Sequence, residues 1–100
     1  MKILALEKEV PGVADDQFTP QLLHEEAKQV WELHQAGMIR ELYFSQDTHE
    51  AVLMLECNNV EEAQSVLASL PLVKAGLLAF KIIPLIPYNG FSRLFAKEII

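Results

Sequence analysis

Four short runs of the chain are rich in apolar and β-forming residues, and apolar residues recur at three- and four-residue intervals in two longer stretches between them. Residues 2–8 (KILALEK) are a first apolar run closed by Val10-Pro11-Gly12, which predicts a strand followed by a loop. Thr19-Pro20 then reads as a helix start, with threonine as the cap and proline at the first helical position, where no hydrogen bond is lost. From there to about Gly37, Leu22, Leu23, Ala27, Val30 and Leu33 share one helix face, with Glu25, Lys28, Gln29, Glu32 and Gln35 opposite. Residues 38–45 (MIRELYFS) and 49–57 (HEAVLMLEC) are β-rich runs joined by Gln46-Asp47-Thr48, a hairpin spacing. Asn59 reads as the cap of a second helix, with Glu62 in capping-box position and Pro71 as its stop. A last strand over about 77–86 carries Pro84, so its end belongs at a sheet edge or outside the sheet.

The order is strand, helix, strand, strand, helix, strand. It predicts an α+β domain over residues 1–86 with the ferredoxin-like βαββαβ arrangement and a four-stranded antiparallel sheet. Both helices are expected on one sheet face. Ile39, Tyr43, Val52 and Met54 alternate with Leu42, Phe44, Leu53 and Leu55, so the paired strands are apolar on both sides and the uncovered face needs a partner. A second copy of the chain is the economical cover. Residues 87–100 form a tail in which Phe91, Leu94 and Phe95 share one helical turn. The tail reads as an arm on a neighbouring subunit, the alternative being that it folds back on its own domain.

Composition narrows the partners. With 51% hydrophobic and 22% charged residues in 100, the chain is ordered and has more apolar surface than one small core hides. A net charge of −6, with the eight basic residues scattered, supplies no stripe for a phosphate backbone, and nucleic acid is not an expected partner. Cys57 is the single cysteine, which excludes an internal disulfide and fits a buried apolar position. The N-terminal run is broken by charge too early for a signal peptide, and Lys81, Pro84 and Pro87 interrupt the last apolar stretch, so no membrane span and a cytoplasmic location are expected.

Few residues carry candidate chemistry. Glu26 projects inside the apolar stripe of the first helix, too far from the cap to serve the helix dipole. A desolvated carboxylate there acquires a raised pKa and serves as a general base, or else pairs structurally with a cation. Arg40 is the natural respondent if its strand face meets the helices: it would hold a substrate carboxylate or neutralise Glu26. Lys81 is a second inward cation if Leu77, Ala79, Ile83 and Leu85 face the helices, and is otherwise exposed. His34 borders the stripe and is a substrate-binding candidate, whereas His24 and His49 fall on a polar helix face and at a strand start. No metal-ligand spacing, nucleophile elbow or phosphate loop is present, so neither a metal nor another cofactor is expected.

The Leu70-Pro71-Leu72 segment, the later Pro84-Leu85, and the first helix with Gly37, Arg40 and Leu42 resemble the muconolactone isomerase family over most of the chain. That resemblance implies a ferredoxin-like subunit pairing into a dimeric α+β barrel. It also implies a cofactor-independent proton shift in a carboxylate-bearing lactone, with Glu26 and Arg40 at family positions. Ala27 stands where the family enzymes carry a lysine, and Pro87-Tyr88-Asn89-Gly90-Phe91 differs from their His-Pro ending. Sequence alone leaves catalysis open. A non-catalytic homo-oligomeric module holding a small acidic or hydrophobic ligand is the alternative, and a cofactor-free oxygenase or haem-handling relative is a third reading.

Overall fold

A computed structural model of the chain describes residues 1–95; the last five residues of the tail lie outside the described residues. Four strands, β1 (Lys2–Lys8), β2 (Ile39–Phe44), β3 (Ala51–Glu56) and β4 (Ala79–Pro84), form one sheet in the order β2-β3-β1-β4, every pair antiparallel. Helices α1 (Pro20–Gln35), α2 (Val60–Ala68) and α3 (Pro71–Lys74) complete the βαββαβ frame. Pro84 is the last residue of edge strand β4, where its missing N–H leaves no central ladder bond unmade.

The helix ends follow local chemistry. Thr19 Oγ1 accepts the Leu22 N–H at 3.2 Å and caps α1. At the other end Gly37 takes φ +82° while Met38 N–H reaches back to Leu33 O at 3.0 Å, a left-handed close that glycine makes at least cost. Asn59 Oδ1 accepts the Glu62 N–H at 2.8 Å, and Glu62 reaches back to the Asn58 N–H at 2.9 Å, one residue before the cap. Pro71 does not simply stop α2, which ends at Ala68. It occupies the first position of α3, because a proline that cannot continue one helix is preorganised to begin another.

Ladder partners share a face, so register sorts the side chains. Ile3, Ala5, Leu53, Leu55, Ile39 and Ile82 lie on the helix-facing side, and Ile3, Ile39 and Leu55 are fully buried there. Leu4, Leu6, Val52, Met54, Tyr43 and Ile83 lie on the other side, which no element among the described residues covers. A bulge between Ile39 and Glu41 breaks the strict alternation expected of β2. Ile39 therefore joins Leu42 and Phe44 on the helix side, and Arg40 is displaced to the surface. On β4, Phe80 and Ile82 face the helices, which turns Lys81, the partner of Leu6, outward.

Leu55 pairs with both Ile3 and Ile39 at the centre of the core. Truncation to alanine is expected to cost about 2–5 kcal/mol through lost transfer energy and the cavity left behind. A chemical denaturation midpoint unchanged in Leu55→Ala would contradict this placement of the core.

Candidate functional site

The apolar face of α1 does not close on the sheet. No α1 residue is fully buried, and Leu23 is 45% exposed. The stripe expected to enter the core instead lines a cavity of about 770 Å³ between α1 and the sheet, with Leu23 and Val30 of α1 opposite Leu42, Phe44 and Leu53 of the sheet. This volume falls within the usual range of small-molecule sites.

Glu26 enters that cavity from α1. Its Oε1 accepts the Leu72 N–H at 2.9 Å, at the start of α3. Leu70, the cap residue of that short helix, has no side-chain acceptor, so a carboxylate from a neighbouring helix satisfies an otherwise open donor. Burial pushes the Glu26 carboxyl above its ordinary range, and the Leu72 N–H partly offsets that effect by favouring the charged form. No salt bridge to Glu26 is found among the described residues.

His34 lines the same cavity, one face of α1 serving both residues. Its Nδ1 lies 2.7 Å from Ile39 O. A carbonyl oxygen only accepts, so Nδ1 carries the proton and Nε2 is left as the reactive nitrogen. Arg40 and Lys81 do not line the cavity. The Arg40 Nε donates to Gly37 O at 2.6 Å. Its charge acts on Glu56, whose carboxyl is held below the ordinary range first by the Met1 ammonium and more weakly by Arg40 and Lys2. The bulge in β2 and the face of β4 are the reasons neither cation meets Glu26.

Glu7 and Trp31, not among the candidates from sequence, line the cavity, as does His49, which its place at a strand start had set aside. Glu7 shares strand parity with Ile3 and Ala5, and that signal was sufficient to place it inward. Its Oε1 accepts the Ala51 N–H at 2.8 Å. The polar side chains of the lining on the helix-facing side are therefore two carboxylates, two imidazoles and an indole, with no lysine or arginine among the described residues. Such a set transfers protons and donates hydrogen bonds inside an apolar wall. Among the described residues there is no cluster of three or more metal-ligating side chains, and no helix is long and apolar enough to cross a membrane.

The sequence matches the muconolactone delta-isomerase family over residues 3–90. The chain belongs to that family. Among solved structures, a muconolactone isomerase crystal structure at 3.3 Å resolution is similar with a TM-score of 0.73 and 19% identity, covering 89% of this chain and 92% of the other. The 5-chloro-2-hydroxyhydroquinone dehydrochlorinase TftG of Burkholderia phenoliruptrix AC1100, in complex with 2,5-dihydroxybenzoquinone, is similar with a TM-score of 0.62 and 19% identity, covering 90% and 98%. At these identities the two structures corroborate the fold. A comparison with curated proteins finds no match. Membership in the muconolactone delta-isomerase family bears out the resemblance carried by Leu70-Pro71-Leu72, Pro84 and the first helix, and two differently named enzymes share its frame.

Proposed function

We propose that this protein is a cofactor-independent enzyme that moves a proton on a small cyclic substrate, a lactone bearing a carboxylate or a related enolisable ring. The observation that carries the proposal is Glu26, a carboxylate with a raised pKa in a mostly apolar cavity and without a salt bridge among the described residues. Such a group is a base of useful strength near neutral pH. Isomerisation of a lactone double bond and loss of HCl from a chlorinated ring both include removal of a proton, so one base suits either named relative. His34 Nε2 is assigned to a polar substituent of the substrate. Turnover of muconolactone-type lactones by wild type and Glu26→Gln tests the reading, and equal rates in both would remove Glu26 from the chemistry.

One observation favours a second reading, in which Glu26 only completes the start of α3 through the Leu72 N–H. The chain would then be a homo-oligomeric binding module. Glutamine keeps that acceptor and loses the base, so stability and turnover respond differently in the same variant.

In either case we propose that copies pair through the uncovered sheet face, with the C-terminal tail as an arm on the neighbouring subunit. Ile86, Tyr88, Phe91, Leu94 and Phe95 are each at least two-thirds exposed. The tail is nonetheless shaped: Tyr88 and Phe91 pack edge to face at 4.9 Å, with the Tyr88 ring over Gly90 where a β-carbon would collide. An ordered apolar segment left in water is the expected form of an arm whose seat belongs to another copy.

A further inference from the structure

One histidine of the cavity holds a backbone conformation that is uncommon for any residue but glycine. His49 has φ +59°, the left-handed region that glycine enters freely and other residues enter under strain. The β2–β3 loop imposes that angle. Ser45 N–H bonds Glu50 O at 2.8 Å, His49 N–H bonds Ser45 O at 2.9 Å, and the Ser45 and Thr48 hydroxyls meet at 2.6 Å. None of these bonds uses the imidazole, so glycine at 49 would close the same turn with less strain. Strain kept at one position is a pointer to function when the side chain it places has a use.

The imidazole is well placed. It stacks on Phe44 with ring centroids 4.1 Å apart and planes 15° from parallel, and it lines the cavity that Glu26 enters. The Ser45, Thr48 and Glu50 side chains of the turn bond one another and the backbone, and among the described residues both imidazole nitrogens stay open to a ligand. Position along the cavity follows from the fold. The α1 helix and β2 are joined by a short turn and pack side by side, with His34 tied to Ile39 at their junction. Phe44 lies about 17 Å along β2 from Ile39. The same distance back along α1 from His34 reaches Leu23, one turn from Glu26. The Phe44–His49 pair therefore belongs to the Glu26 half of the cavity, and His34 to the other end.

We infer that His49 donates a hydrogen bond to the substrate oxygen that becomes anionic when Glu26 removes a proton. This inference rests on the proton-transfer reading above and names its substrate class: a planar cyclic carbonyl compound, such as a lactone, enone or hydroxyquinone, whose carbonyl lies conjugated with the acidic C–H. Glu26 takes the C–H proton. The electron pair of that bond moves toward the carbonyl, whose oxygen becomes an enolate held by the imidazole N–H. The enolate collapses with protonation at the far carbon of the conjugated system by the Glu26 carboxylic acid, whose O–H bond breaks and restores the carboxylate. A donor aimed where charge develops lowers the barrier without taking part in the proton count.

His49→Gly and His49→Asn, both compatible with the left-handed angle, test this beside Glu26→Gln. Each is followed by thermal unfolding, by spectrophotometric titration with 2,5-dihydroxybenzoquinone as an enolate mimic, and by kcat and KM on muconolactone. For His49→Gly the unfolding temperature is expected to stay level or rise, quinone affinity to fall about 10- to 100-fold, and kcat to fall about 100-fold or more. Glu26→Gln is expected to keep quinone binding while losing turnover. Wild-type binding and kcat in His49→Gly overturn the inference and leave the Glu26 reading intact. A fall in unfolding temperature with quinone affinity unchanged assigns the imidazole to the hairpin and also overturns it. Wild-type protein that neither binds the quinone nor turns over the lactone overturns both.

Discussion

Glu26→Gln is expected to lose about 10²- to 10⁴-fold in kcat while remaining at least as stable as wild type at neutral pH. The loss follows because glutamine fills the same space and still accepts the Leu72 N–H but takes no proton from carbon. The stability sign follows from the direction of the pKa shift. Burial raises the Glu26 carboxyl, outweighing the Leu72 N–H, so the folded state binds the proton more tightly than the unfolded chain does. That contribution is fully present below the ordinary glutamate range and is lost as pH rises through the raised folded value. Glutamine is neutral throughout and escapes the loss. The advantage of the variant over wild type should therefore appear near neutral pH and close on acidification, as measured by denaturation from pH 4 to 8. The same shift places the acid limb of wild-type kcat/KM above the ordinary glutamate range. A variant clearly weaker than wild type at pH 7 would instead mean that the start of α3 needs the charge itself, beyond the acceptor that glutamine also supplies.

The frame was legible because each element carried its own local cause. Thr19-Pro20, Gly37, Asn59 and Pro84 act within a residue or two of where they stand, and strand parity placed Val52 and Met54 opposite Leu53 and Leu55. What failed was the extrapolation of parity across an irregularity. A single extra residue between Ile39 and Glu41 sends Arg40 to the surface, and nothing in the MIREL segment announces it. Lys81 failed for a related reason, since Phe80 and Ile82 match a buried pair as well as Ala79 and Ile83 do, and only pairing with Ala5 and Glu7 decides between them. For α1, a stripe facing a core and a stripe facing a cavity have the same periodicity. The placement of Glu26 was therefore readable, whereas the space before it was not. His49 was hidden most deeply, because its left-handed angle is set by the closure of the Ser45–Glu50 turn and not by its own residue type.

Met54→Glu is expected to convert the assembled protein to a monomer that keeps its fold. Met54 lies in a row with Leu4 and Ile83 across three strands of the uncovered face. In a lone chain that face meets water, so a carboxylate there is solvated and costs little. In a twofold pairing each substitution appears on both sides of one interface, burying two like charges without partners, and a penalty of several kcal/mol per buried charge exceeds what the lost apolar contacts would contribute. The arithmetic of area adds a second expectation. Four strands about 4.8 Å apart and about 20 Å long present a few hundred Å², well short of the roughly 800 Å² per partner in a stable interface. The sheet face alone is too small. The exposed side chains of Ile86 to Phe95 are the apolar surface available to make up the difference, so removal of the chain beyond Ile86 should weaken the assembly as well. Light scattering at micromolar concentration reads both variants, and a wild-type protein that is already monomeric there would sink the pairing. Turnover by the Met54→Glu monomer then settles a question of mechanism: the Glu26 cavity lies on the opposite side of the sheet, so activity retained in the monomer means one chain completes its own site, and activity lost with the fold intact means the arm of a second copy closes it.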